Sequence, residues 1–168
     1  MGEETCKERL ARNFSRTMIE LRDIVERPSP KDKVAQELMQ YALGFDFVAA
    51  GDVGNKIPFW RWQLSWGGPQ DEFRFPYEDS VTKYTGDAAR AFSSDDGLVY
   101  AGVHKQRCEY WFLDWGDCAH CNVLGHDLTI MRKVLRYYVE TGEVLGAFRN
   151  ARGIPAYADH VVGKPIPS

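Results

Sequence analysis

The chain has 168 residues, enough for one domain with a continuous core. Its 44% hydrophobic and 27% charged residues exclude a disordered chain, and no apolar run approaches the roughly 20 residues that cross a bilayer. The net charge of −3 is unevenly spread: Asp71 to Asp117 holds ten acids and five bases, a local −5 that leaves +2 elsewhere, which argues against direct nucleic-acid binding over that segment.

Along the chain, the start Met1-Gly2-Glu3-Glu4-Thr5-Cys6 is acidic and polar, unlike a secretory leader, so a cytoplasmic location with reduced thiols is expected. Phe14, Met18, Leu21 and Val25 form one stripe and predict an amphipathic helix over 14–25, ended by Arg27-Pro28. Ser29-Pro30 reads as the cap and first position of a second helix, with Val34, Leu38 and Tyr41 inward and Gly44 as its stop. The period then changes from helical to two. Trp60, Trp62, Leu64 and Trp66 alternate with Phe59, Arg61, Gln63 and Ser65, which predicts a strand with the tryptophans under the helices and Arg61, Gln63 and Arg74 on the exposed face. Gly67-Gly68-Pro69-Gln70 turns it back into a strand carrying Phe73 and Phe75. Residues 78–96 are a polar excursion, and 98–103 and 107–115 read as further strands, either a second hairpin or one strand broken near Lys105. A third helix begins near Asp127 with Leu128, Met131, Leu135 and Tyr138 inward. Gly142 interrupts it, a short helix carries Val144, Leu145 and Phe148, and a Pro- and Gly-rich tail follows.

Strands clustered between helices predict an α+β fold, an antiparallel aromatic-rich sheet of about four strands packed by N-terminal and C-terminal helices. The expected boundaries are one domain over 1–152 and an extended tail over 153–168.

Three constellations could carry chemistry. His104, Cys108, Cys118 and Cys121 have the residue types of a zinc site, because C-x2-C sets two thiolates on one tight turn. His120 and His126 lie nearby in sequence. On a continuous strand His104 and Cys108 would be about 13 Å apart, so the site needs a turn between them. The same C-x2-C could be a redox pair, but the thioredoxin-like βαβ context is missing. The second constellation is acidic: Asp71 and Glu72 after the Gly-Gly-Pro turn, with Asp114 and Asp117 around Trp115-Gly116. If those sheet ends meet, the acids could share a cleft with His120, although acids in turns ordinarily cap backbone N–H groups. The third is the aromatic sheet, which could stack bases only with flanking cations that this acidic segment lacks. No phosphate loop, dinucleotide fingerprint, nucleophile elbow or zincin motif occurs, which argues against a standard enzyme.

Two stretches, Trp62 to Pro69 with Asp71 and Glu109 to Trp115, resemble small α+β proteins of bacterial plasmids and phages. In those an L-S-x-G-G-P turn precedes a strand ending in Asp-Trp, and the layout is similar to antirestriction proteins of the ArdB and KlcA type. The resemblance implies a mobile-element accessory protein that blocks a host defence machine, and it transfers no catalytic residues. The leading expectation is therefore a non-enzymatic, protein-binding inhibitor of a host defence nucleoprotein complex, of anti-CRISPR or antirestriction type. It would present Asp71, Glu72, Asp79, Asp114 and Asp117 with Arg61 to a basic, nucleic-acid-binding partner, with no cofactor and no membrane. The alternative is a zinc-binding protein or metal-dependent enzyme using His104, Cys108, Cys118 and Cys121.

Overall fold

The computed structural model describes residues 4–48, 51–67, 69–76 and 107–141. The fold over these residues is α+β: three helices cover one face of a five-stranded antiparallel sheet. The expected strand at 98–103, the short helix around 144–148 and the tail at 153–168 lie outside the described residues.

Helix α1 spans Cys6–Glu26 and starts well before Phe14. Thr5 accepts from the Glu8 N–H while Glu8 returns a bond to the Thr5 N–H, a capping box that closes the first turn upstream of the apolar stripe. The helix stops where Arg27, ahead of Pro28, turns extended at ψ 135°. Helix α2 spans Lys31–Tyr41. Its capping position is held by Pro30, which makes no side-chain cap, so Ser29 does not take the expected role. Gly44 opens a strand instead of closing this helix.

That strand, β1 (Gly44–Val48), is followed by β2 (Phe59–Gln63), β3 (Gln70–Pro76), β4 (Glu109–Asp114) and β5 (Asp117–Asn122), and helix α3 spans Gly125–Glu140. Each strand pairs antiparallel with the next, in spatial order β1 to β5. The sheet thus has one strand more than about four, and among the described residues β1 and β5 are its two edges.

On the helix-covered face the register aligns Phe45, Trp62, Phe73, Tyr110 and Cys121 in one row across all five strands. Trp60 and Trp62 are fully buried, and α1, α2 and α3 contribute Leu21, Leu38 and Met131 above them. The Trp62 indole N–H donates to the Tyr138 hydroxyl, so the polar tips of these two rings meet inside the core. Trp66 departs from expectation. β2 ends at Gln63 and the chain turns, so the alternation never reaches Trp66, which is 71% exposed.

The opposite face carries a second row, Asp46, Arg61, Arg74, Glu109 and Asn122, again across all five strands. Arg61 and Arg74 sit directly opposite one another. Like charges in that position repel, and each is offset by its own carboxylate. Arg61 makes a two-pronged bond to Asp46 at 2.9 and 2.7 Å, and Arg74 Nε donates to Glu72 at 2.8 Å. This face is not simply solvated: Glu72 is 1% and Arg74 8% exposed.

Candidate functional site

Two regions collect the chemistry. The first is one end of the sheet. Because β3 runs antiparallel to both neighbours, the β2–β3 loop and the β4–β5 turn emerge at the same end. Their centres are two strand spacings apart, about 10 Å. Trp66 lies in the loop, and Trp115 lies at the turn with 87% exposure. Leu43, just before β1 and at this same end, is also exposed.

The loop is fastened from below. The Ser65 hydroxyl donates to Asp71 Oδ1 at 2.5 Å and accepts from the Asp71 N–H at 2.9 Å. The Tyr110 hydroxyl donates to the other oxygen, Asp71 Oδ2, at 2.5 Å. The Leu64 N–H also reaches the Asp71 carbonyl, at 3.0 Å. Burial and the adjacent Asp71 carboxylate push the Tyr110 phenol well above its usual range, which keeps it a proton donor here. Ser65 and Leu64 are thus both tied to Asp71, and Trp66 lies outward beside them.

The β4–β5 turn has Trp115 at φ 45° and Gly116 at φ 85°, the positive pair of a type I′ hairpin. Glycine adopts such a backbone freely, whereas a bulky residue does not. Next to the turn, Arg9 of α1 binds Asp114 at 2.5 Å, and Asp117 accepts from the Cys118 N–H at 2.9 Å. Asp117 also takes a hydrogen bond from the Cys6 thiol.

The acids therefore do not gather into one surface. The two turns do meet at one sheet end, but Asp71, Asp114 and Asp117 lie toward the helix side while Glu72 points to the opposite face, since residues one apart on a strand face opposite ways. Asp71, Glu72, Asp114 and Asp117 each satisfy a partner within the chain, and Arg61 is held by Asp46. Asp79 lies outside the described residues.

The tight C-x2-C turn expected of Cys118 and Cys121 is not what forms. Both belong to β5, three residues apart, so their side chains point to opposite faces. Cys118 pairs across from Leu113 on the second face, while Cys121 pairs with Tyr110 under the helices beside the buried Cys108. Among the described residues no group of three His, Cys, Asp or Glu side chains converges as metal ligands. His104 lies outside the described residues. His120 stacks on Trp111, with centroids 4.2 Å apart and planes 12° from parallel, and His126 binds Glu26 at 2.7 Å.

The second region is a cleft of about 410 Å³ on the face away from the helices. Its floor includes Glu72, Arg74 and Trp111, and Val53 to Ile57 form a rim. The Arg74 guanidinium sits 4.4 Å from the Phe59 ring centre and 3.9 Å from that of Trp111, a cation held by both rings. Sequence reasoning missed this cleft, because it treated the Arg61–Arg74 face as open solvent. The signal available was Phe59 and Trp111, two large rings in phase with the charged residues.

Compared with protein-family profiles, curated proteins and solved structures, the chain matches none. Among the described residues no helix is long and apolar enough to cross a membrane.

Proposed function

We propose that this is a non-enzymatic protein-binding factor that docks on its partner through the Trp66–Trp115 end of the sheet. The observation that supports the reading is the pair of exposed tryptophans on adjacent turns, one of them on a backbone that a large side chain adopts at a cost. Exposed indoles on rigid turns are the usual anchors of protein interfaces, since they add large contact area while losing few rotamers. The partner surface that fits offers apolar pockets for two indoles. Acidic mimicry of a nucleic acid is not the mechanism favoured, because the acids at this end already have partners. The narrower reading, an inhibitor of a host defence nucleoprotein complex, rests on the resemblance of the 62–71 and 109–115 stretches.

The test is affinity capture from host lysate with the wild-type chain and the double variant Trp66→Ala/Trp115→Ala. A specific protein partner should be retained by the wild type and lost by the variant, with melting unchanged because neither ring is in the core. Identical capture by both would defeat the proposal. So would sedimentation showing that the wild type binds only itself.

A further inference from the structure

The second cleft has a property that the tryptophan end does not use. Arg74 is nine-tenths buried, its two faces are covered by Phe59 and Trp111, and its Nε–H is spent on Glu72. What remains is the edge of the guanidinium formed by its two terminal amino groups. Among the described residues no acceptor meets them, and Arg74 lines the cleft. The two flanking rings hold this edge in one orientation, so an oxyanion that supplies two acceptors meets a donor pair already in place.

The charge around the cleft points the same way. Lys56, Arg61, Arg74 and Arg107 line it against Glu72 and Glu109, and with Asp46 bound to Arg61 the groups around the cleft are four cations to three carboxylates, a net of +1. Val53, Ile57 and Leu113 add apolar wall. The volume is that of a small-molecule site, not a macromolecular groove. A planar guanidinium edge matches an oxyanion with two acceptors side by side. We propose that this cleft binds a small molecule carrying an oxyanion, a carboxylate or a phosphate, on a flat apolar body. Arg74 grips the oxyanion edge-on and the apolar body lies against Leu113 and the 53–57 rim. Glu72 has a double role: it holds the Arg74 edge in place, and its own charge keeps affinity moderate.

The experiment is calorimetric titration of the full chain with three probes: 2-naphthoate, 1-naphthyl phosphate and the neutral 2-naphthamide. At least one anion should bind at a single site, with the amide at least tenfold weaker, and the two anions separate a carboxylate from a phosphate preference. Glu72→Gln should tighten binding several-fold, because it removes a competing negative charge while leaving an acceptor for Arg74. The paired variant Arg74→Met/Glu72→Gln, which leaves no lone buried charge, should weaken binding at least tenfold. Trp66→Ala/Trp115→Ala should bind the anion as the wild type does, so this proposal stands or falls apart from the docking one. Equal binding of acid and amide, or no binding of either anion at millimolar concentration, would overturn it. So would weaker binding in a folded Glu72→Gln protein.

Discussion

Trp115 combines a costly backbone with an exposed ring. At φ 45° its Cβ crowds the backbone, and the left-handed region costs a non-glycine residue about 1–2 kcal/mol. The ring recovers none of this through burial, being 87% exposed. Asparagine, which tolerates this backbone and favours the first central position of a type I′ turn, is the natural alternative. Trp115→Asn should therefore raise stability by about 1 kcal/mol, read as a melting temperature about 2–4 °C higher, while weakening partner capture. A variant that melts lower would show that the indole is held by contacts that offset its backbone. Glu72 and Arg74 show the opposite arrangement, a charged pair kept inside because two rings and a hydrogen bond compensate its desolvation.

At the scale of elements, β5 decides what the cysteines can do. As an edge strand its alternate residues face opposite ways, so Cys118 is exposed while Cys121 is half-buried against the helices. Burial, with Asp127 nearby, raises the Cys121 thiol, and deeper burial raises Cys108 further. The thiolate is the reactive form, so iodoacetamide at pH 8 should label Cys118 first, with Cys108 and Cys121 lagging well behind in the folded protein. Peptide mapping of a timed reaction checks it, and equal rates at Cys118 and Cys121 would contradict the strand. The Trp60/Trp62 and Phe73/Phe75 hairpin was legible because large rings alternate without interruption. The stripes of α1, α2 and α3 were legible by their helical spacing. Strand β5, Asp-Cys-Ala-His-Cys-Asn, was not: an edge strand buries little on either face, so its alternation is faint and the C-x2-C pattern suggested a turn. Strand β1 was hidden for a related reason, since Gly44 at its start is also the residue expected to end a helix. The Trp66–Trp115 end was half legible. The turns could be placed, but only the register shows that both emerge at one end and that Trp66 lies beyond the last paired residue of β2.

For the whole molecule, the seam between sheet and helices is held by groups that must stay protonated. Tyr110 packs on Phe14 of α1 at 5.3 Å, and Tyr41 of α2 packs on Trp62 at 5.9 Å. The Thr17 hydroxyl of α1 faces both phenols. Desolvation raises both tyrosines above their ordinary value of 10.0, helped by Asp71 beside Tyr110 and Glu20 beside Tyr41. Cys108 and Cys121, on the same face, are raised above 9.0, again mainly by burial. In the folded chain these groups keep their protons at pH values where the unfolded chain has released them. Their contribution is therefore complete below about pH 9 and is lost as pH climbs through the unfolded values toward the raised folded ones. Each group held protonated in the fold but ionised when unfolded lowers stability by about 1.4 kcal/mol per pH unit. Chemical denaturation from pH 7 to 11 should show a plateau and then a decline beginning near pH 9. Tyr110→Phe isolates one member. At pH 7 it should lose about 1–2 kcal/mol with the bond to Asp71, and the gap to wild type should narrow steadily above pH 10 because the variant has one fewer proton to release. Parallel curves across that range would mean that Tyr110 ionises alike in both states, and that the seam is not sealed from water as the packing of Phe14, Thr17 and Asp71 around it requires.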